Sequence, residues 1–210
     1  GTEFHVEMGN RLVKVHVVRS DSAQRTGVIR VQIGPPVVLN PEGTGRTKYV
    51  QRIRMLSMDP SPGGTRWTDP LTLPDDILHV SMGNPHTVLF VESLESTPVI
   101  ELGPEIERHT LFPNRTNVEF AQVIAPSMVR VRVWERGSGE TLACGSGACA
   151  VAVAGIESGL LIQDSERAIQ VKMPGGTLRV LWDDHDQVFL EGPAEIAFEG
   201  LVHLPVSDQE

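Results

Sequence analysis

Two segments far apart in the chain share one pattern of alternating apolar residues, and this repeat constrains the fold more than any other feature. Residues 4–15 (FHVEMGNRLVKV) resemble residues 169–180 (IQVKMPGGTLRV), each with a glycine-containing turn at its centre. Residues 31–35 and 189–193 then follow as similar segments that both end in Gly-Pro. Alternation with a period of two predicts β-strands, so each copy is predicted to be a hairpin followed by a third strand. Chance alternation in two hairpins is the alternative.

An apolar segment of small residues precedes the second copy and predicts a buried helix. Residues 145–161 are rich in Ala, Val and Ile, and Gly159 is typical of a helix stop. If the two halves are duplicates, an equivalent helix is expected ahead of Phe4. This sequence has no residues there to form it, so an incomplete first half is expected.

The repeat also predicts how the chain is divided. Residues 1–44 are expected to be the remnant of the first half, joined by residues 195–210, and residues 45–194 are expected to form the second half. A turn at Gly9-Asn10 and a strand at Tyr49–Met55 are predicted within these parts. The predicted fold class is α+β.

Composition and charge exclude several classes of protein. The 210 residues carry a formal charge of −9, which argues against a general nucleic-acid binder or a binder of anionic membranes. No apolar run approaches the roughly 20 residues that a membrane span requires. Cys144 and Cys149 are too few and too close for a disulfide framework, so a reducing cytoplasm is the expected location.

The segment that most indicates chemistry runs from Glu135 into the predicted helix. A charged pair and a glycine-rich turn lead to Cys144, where the first helical amides have no internal partner. A thiolate there is expected to be stabilised, which would lower the pKa of Cys144 and make it a usable base. The amides around Gly145 and Ser146 are expected to accept an anion such as a carboxylate. The alternative is that Cys144 is a small buried core residue.

The remaining candidates are less specific when each is taken alone. Cys149 lies five residues further along the helix, so it is predicted to face elsewhere and to serve packing. A metal site is not expected, because the two thiols lack nearby third and fourth ligands. The segment Gly83–His86 predicts a turn between two strands, and Asn117 begins another strand. The sequence contains no motif for binding a nucleotide, a flavin or a pyridoxal cofactor, so no cofactor is expected.

Taken together, these segments resemble the diaminopimelate epimerase family. The resemblance rests on Gly83-Asn84-Pro85-His86, on Asn117, and above all on residues 135–150 (ERGSGETLACGSGACA). It implies two pseudo-symmetric halves, each a curled mixed β-sheet or barrel around a central helix, with the active site between them. The activity implied is the cofactor-free interconversion of LL- and meso-diaminopimelate, in lysine and peptidoglycan biosynthesis. A homodimer is common in the family.

The resemblance also implies roles for individual residues. Cys144 would be one of two thiols that remove and return the α-proton, assisted by His86 and Glu135. The residues implied in substrate binding are Asn84, Asn117, Glu135, Arg136, Gly145 and Ser146. The partner thiol belongs to a first-half motif that this sequence does not contain, and Cys149 is on the same helix as Cys144 and cannot replace it. Two alternatives remain open: a shortened relative that binds an amino acid without turnover, and a proline racemase-like epimerase.

Overall fold

Twelve strands and two helices make up the part of the chain that the computed structural model describes, residues 2–8, 11–39 and 77–201. The strands are β1 (Glu3–Met8), β2 (Arg11–Asp21), β3 (Thr26–Gly34), β4 (Val37–Leu39), β5 (Leu78–Ser81), β6 (Pro85–Phe90), β7 (Asn117–Ala125), β8 (Met128–Glu135), β9 (Gly139–Thr141), β10 (Ala168–Met173), β11 (Gly176–Trp182) and β12 (Val188–Glu195). The helices are α1 (Val99–Glu107) and α2 (Gly145–Glu157). The predicted turn at Gly9-Asn10 and the predicted strand at Tyr49–Met55 lie outside the described residues.

The strands form one mixed sheet. Its order is β1-β2-β3-β12-β11-β10-β8-β7-β6-β5-β4, and β9 pairs with β8 off this path. The pairs β6–β7 and β8–β10 are parallel, whereas the other pairings are antiparallel. A mixed sheet is therefore confirmed, and the described strands do not close into a barrel.

The two predicted hairpins have the same register. Phe4 lies opposite Val15 in β1–β2, and Ile169 lies opposite Val180 in β10–β11. These are the residues that the sequence match makes equivalent. Alternating apolar residues and a two-residue turn are sufficient to set this register, because a slip of one residue would turn every apolar side chain to the opposite face.

The copies are joined through their third strands, since β3 and β12 pair antiparallel with Val31 opposite Leu190. Within its own half Val31 also pairs with Val15, and Leu190 with Val180, so β3 and β12 are equivalent in register. The sequence match that aligned Val31 with Phe189 was wrong by one residue. A bulge at this end of β3 accounts for the shift, because β3 has one residue more than β12 between consecutive pairings there.

Helix α2 is enclosed by the curled sheet. It packs against β5, β6, β7, β10, β11 and β12, and every residue from Gly147 to Gly155 is buried. It ends at Glu157, earlier than the predicted end at residue 161. Gly159 follows with φ of +73°, a backbone conformation that glycine adopts without a steric penalty at helix ends. The predicted central helix of the second half is confirmed. No described helix is long and apolar enough to cross a membrane.

A second core lies on the outer face of β6 and β7. Leu89, Val118 and Phe120 pack there with residues of α1, whereas Val88 and Ala121 belong to the core around α2. Because both faces are covered, the last five residues of β6 and the first five of β7 are buried. Polar side chains on these strands therefore lie in surroundings that exclude water.

The first half is less well covered. Phe4 and Val6 are 43% and 38% exposed, and within the described ranges neither helix packs extensively on β1, β2 or β3. The incomplete first half and the division between residues 44 and 45 remain predictions.

A buried carboxylate joins β3 to β11 and β12. Glu191 is 4% exposed and accepts two hydrogen bonds from Arg30, at 2.7 and 2.9 Å, and one from Arg179. Arg179 also bonds the exposed carboxylate of Glu166. Since Arg30 belongs to β3 and Arg179 to β11, Glu191 links the two copies of the repeat at their shared border.

Replacing Glu191 is expected to destabilise this border. In Glu191→Ala the guanidinium group of Arg30 loses its carboxylate partner and that of Arg179 keeps only the exposed Glu166, so the free energy of unfolding should fall by about 2–3 kcal/mol. The matched control is Glu166→Ala, which removes an exposed partner of the same Arg179 and should cost less than about 1 kcal/mol. Urea unfolding followed by circular dichroism measures both, and equal losses would contradict the role of Glu191.

The buried His79 gives the stability a pH dependence. His79 in β5 is 6% exposed, and burial lowers the pKa of its imidazole from 6.5 to about 4. Between these values the unfolded chain binds a proton that the folded chain does not, so the free energy of unfolding increases as the pH rises from 4 to 6.5. At about 1.4 kcal/mol per pKa unit, lowering the pH from 7.5 to 5 should cost about 2 kcal/mol through this residue. Urea unfolding of His79→Gln should show a smaller loss over that range. Replacing the exposed His185 by Gln is the control and should leave the pH dependence unchanged.

Candidate active site

Cys144 lies directly before α2 and is fixed by the turn between β10 and β11. Its backbone is extended, with φ of −138° and ψ of 112°, and its N–H donates to the Met173 sulfur at 3.4 Å. Two residues earlier, the carbonyl of Leu142 accepts from the Gly175 amide at 2.7 Å. These contacts place the Cys144 side chain at the N-terminal end of α2, directly before the buried part of the helix.

The first turn of α2 carries backbone amides that the helix does not use. The Ala148 amide is the first to bond within the helix, donating to the Cys144 carbonyl at 2.9 Å. The amides of Gly145 and Ser146 have no acceptor among the described residues, and they lie at the positive end of the helix dipole. This geometry suits an anion, and the anion site that the sequence predicts remains a prediction.

His86 contacts a buried acid that sequence reasoning missed. Its Nδ1 lies 2.6 Å from Oε1 of Glu119, and both side chains are 0% exposed. Asn117 in β7 lies opposite His86 in β6, so Glu119 is two residues further along on the same face. The signal that sequence analysis overlooked is a single carboxylate within the apolar strand 118–125.

A line of hydrogen bonds connects His86 to Cys144. Nε2 of His86 lies 3.1 Å from Oδ1 of Asn84, and Nδ2 of Asn84 donates to the Ser146 hydroxyl at 3.3 Å. The Ser146 oxygen is 3.6 Å from the Cys144 sulfur. The structure thus brings together four residues that the sequence singled out separately: Asn84, His86, Cys144 and Ser146.

Asn117 and Arg136 are neighbours in the structure. Asn117 donates through Nδ2 to the Pro85 carbonyl at 2.9 Å and accepts the Arg136 amide at Oδ1, also at 2.9 Å. The carboxamide therefore holds the turn before β6 against the end of β8. The Arg136 guanidinium is exposed and donates to the Asn114 carbonyl at 3.1 Å. Both residues lie where β6, β7 and β8 converge.

Glu135 lies at the end of β8 and bonds the short strand that follows the glycine-rich turn. Oε1 of Glu135 accepts from the Thr141 hydroxyl at 2.6 Å. The sequence predicts only a turn here, whereas residues 139–141 form β9 and pair with β8. The charge of Glu135 is close enough to raise the pKa values of both Glu119 and Cys144, so these three groups share one electrostatic environment.

A second acid, also missed from the sequence, anchors the turn after Glu135. Glu107 of α1 accepts from the Trp134 indole at 2.9 Å and from the Gly137 amide at 3.0 Å. Burial opposes ionisation of Glu107, but these donors and the charge of Arg115 outweigh it and lower its pKa. The turn that carries Arg136 is therefore held against α1.

The expected lowering of the Cys144 pKa was wrong. Cys144 is 8% exposed, and burial raises the pKa of its thiol. The Ser146 hydroxyl and the Gly147 amide oppose this rise, and the nearby negative charge of Glu135 adds to it. The favourable field of the helix start is present, and the loss of water around the sulfur outweighs it.

Cys149 belongs to the core, in agreement with the prediction that it serves packing. It is 0% exposed, and burial raises the pKa of its thiol strongly. Within the described ranges no group of three or more His, Cys, Asp or Glu side chains is placed to hold a metal ion.

Comparison with known proteins identifies the family of this chain. A profile of the family described as diaminopimelate epimerase matches residues 78–197. The diaminopimelate epimerases of Trichodesmium erythraeum and Synechococcus elongatus are 50% and 40% identical to this chain over 185 and 179 residues. Each alignment covers 85% of this chain. The chain belongs to the diaminopimelate epimerase family. It spans 60% and 59% of the length of these two relatives.

Solved structures share the fold at low sequence identity. A phenazine biosynthesis protein of the PhzF family from Bacillus anthracis matches with a TM-score of 0.59 and 15% identity, covering 95% of this chain and 69% of that protein. A probable proline racemase from Agrobacterium radiobacter matches with a TM-score of 0.58 and 12% identity, covering 99% of this chain and 62% of that protein. The fold of the diaminopimelate epimerase family is thus shared with proteins of different names.

The raised pKa of Cys144 predicts slow alkylation near neutral pH. The thiolate is the reactive form, so carbamidomethylation of native Cys144 by iodoacetamide should be slow at pH 7 and should accelerate steeply above pH 9. Mass spectrometry of the digested chain measures modification of Cys144, and the buried Cys149 should stay unmodified. Ser146→Ala removes a donor to the sulfur and should shift the profile to still higher pH. A rate that levels off below pH 8 would show instead that the helix start outweighs burial.

Proposed function

We propose that this chain carries one acid–base half of an epimerase that interconverts LL- and meso-diaminopimelate without a cofactor. Family membership supports the reaction, and the position of Cys144 is the observation that carries the proposal. Its sulfur lies beside the Ser146 hydroxyl at the start of α2, next to the free amides of Gly145 and Ser146. Inversion requires proton removal from one face of the α-carbon and delivery to the other, and a thiol suits either role.

The first turn of α2 is proposed to hold the substrate carboxylate at the reacting end. Two amides without internal acceptors can each donate a hydrogen bond to it. When the α-proton leaves, negative charge spreads from the α-carbon into this carboxylate. The same amides and the helix dipole then stabilise a charge that is larger in the transition state than in the substrate.

The raised pKa of Cys144 favours the thiol in the resting chain, which is the proton-donating form. In a two-thiol reaction one sulfur is protonated at the start of each turnover, so this state suits one direction of inversion. His86 and Glu135 are proposed to assist the proton transfers. Glu135 acts through its charge near the sulfur, and His86 acts through Asn84 and Ser146.

The distal end of the substrate is proposed to bind near the convergence of β6, β7 and β8. The exposed Arg136 guanidinium has donors left for a carboxylate. The carboxamides of Asn84 and Asn117 are already bonded on both atoms, so each has one N–H left for substrate. A distal amino-carboxylate distinguishes diaminopimelate from proline, which lacks one.

The reaction also needs an acid–base group on the opposite face of the α-carbon. Cys149 is fully buried on the same helix as Cys144, and the sequence has no third cysteine. We therefore propose that the chain alone exchanges the α-proton with retention of configuration, and that inversion requires a second thiol from outside it.

Proton NMR in heavy water tests this proposal. LL- and meso-diaminopimelate incubated with the chain should each be followed for loss of the α-proton signal and for conversion to the other isomer. Exchange is expected with at least one isomer, and Cys144→Ala should slow it by at least about 100-fold. Cys149→Ala is the matched control, since it removes the other thiol and should retain exchange.

Three outcomes would overturn the proposal. Exchange that persists in Cys144→Ala would assign the base elsewhere. Saturable binding of diaminopimelate without any exchange would favour an amino-acid-binding protein. The same incubation with proline separates the substrates, because exchange of proline and not of diaminopimelate would favour a proline racemase-like reaction.

A further inference from the structure

The buried carboxyl group of Glu119 is bonded on only one of its two oxygens. Oε1 contacts His86, whereas Oε2 has no hydrogen-bond partner among the described residues. A carboxylate anion needs several donors when it is removed from water, and an unbonded oxygen makes the anion especially unfavourable. A neutral carboxylic acid tolerates one unbonded carbonyl oxygen at a much lower cost.

We propose that Glu119 is a positioning residue whose carboxyl group stays protonated and whose O–H donates a hydrogen bond to Nδ1 of His86. This bond fixes the imidazole in its neutral form with the hydrogen on Nε2. It makes Glu119 the first member of a directed line of donors that ends at the sulfur of Cys144.

The contacts define a single direction for this line. Nε2–H of His86 donates to Oδ1 of Asn84, because a carboxamide oxygen only accepts. Nδ2 of Asn84 in turn donates to the Ser146 oxygen. The Ser146 hydrogen is then left to donate to the Cys144 sulfur, which stabilises the thiolate relative to an unbonded sulfur.

The charged and titratable groups around Glu119 support the neutral acid. Burial raises the pKa of Glu119, and His86 in β6 and the Thr87 amide only partly oppose this rise. Glu135, at the end of β8, adds a negative charge that raises the pKa further. Cys144, at the start of α2, is a neutral thiol in the resting chain and contributes no positive charge.

The first turn of α2 is built around this carboxyl group. A Cβ atom on Gly147 would lie 2.8 Å from Oε1 of Glu119 and 3.3 Å from the Cys144 sulfur. Real Cβ atoms essentially never approach another atom to 2.8 Å, so a side chain at position 147 would displace the Glu119 carboxyl group, and glycine leaves that group in place.

The inference rests on the proposed function in one respect only. The line of hydrogen bonds from Glu119 has a catalytic role only if the Cys144 sulfur, where it ends, is the acid–base group. Its test reads the protonation of His86 in the resting chain and needs neither substrate nor turnover. A chain without epimerase activity can therefore still confirm it, and an active chain can contradict it.

The first test is nitrogen-15 NMR of the chain with labelled imidazole rings at pH 7. His86 should be neutral with its hydrogen on Nε2, and its signals are assigned by their loss in His86→Asn. Glu119→Gln should leave both the charge and the tautomer of His86 unchanged, because the carboxamide N–H replaces the acid O–H as donor. A doubly protonated His86 in the wild-type chain, or one that loses a proton in Glu119→Gln, would identify an ion pair and overturn the proposal.

The second test separates positioning from packing. Glu119→Leu keeps a similar volume but has no donor, so the Nε2–H form should no longer be fixed and alkylation of Cys144 should require higher pH. Glu119→Gln should restore the wild-type alkylation profile, whereas a purely structural role predicts equal effects of Leu and Gln. Far-ultraviolet circular dichroism checks folding. Where the Leu variant does not fold, the nitrogen-15 spectrum of His86 in Glu119→Gln decides the question.

Discussion

The sheet can curl around α2 because this helix presents small and apolar side chains on every side. Its buried residues are only Gly, Ala, Cys and Val, which let strands approach the helix from several directions. Close approach is a requirement here, since a Cβ atom on Gly155 would lie 2.3 Å from the Leu161 side chain. A helix buried on all faces offers polar contacts only at its ends, so the chemistry of this half is confined to the turn that begins with Cys144.

Helix α1 also contributes to the exclusion of water near the start of α2. Because α1 covers the outer face of β6 and β7, His86 and Glu119 are buried from both sides of the sheet. Without that layer the opposite face of the strands would be open to water, and the carboxyl of Glu119 would ionise more readily. By covering the outer face of these strands, α1 contributes to the exclusion of water from His86 and Glu119.

Local features of the sequence predict much of this fold. The two hairpins follow from alternation and turn residues, and α2 follows from its composition and from Gly159. A strand that begins at Asn117 is also predicted, and β7 begins at that residue. The pairing of β3 with β12, which joins the two copies, is also consistent with the repeat, although its register depends on a bulge that no pattern indicates.

The errors concern quantities that depend on the assembled tertiary structure. The pKa of Cys144 depends on how much water reaches the sulfur, and the helix start alone gives the opposite direction. Glu119 appears in the sequence as an ordinary strand residue, and only the packing of α1 and α2 on its two sides makes it a buried acid. Strand β9 is missed because its three residues gain order from pairing with β8 rather than from their own propensity.

Ser146 shows how two functions can share one helix turn without competing. Among the described residues its backbone amide has no acceptor and is available to a carboxylate, while its hydroxyl already lies between Asn84 and the Cys144 sulfur. A bound carboxylate would occupy the amide and leave the hydroxyl bond to sulfur in place. Substrate and sulfur would then be held by different groups of the same residue, which fixes the α-carbon relative to the thiol. The position before the helix interior provides this combination, since only in the first turn is a backbone N–H free beside its own side chain.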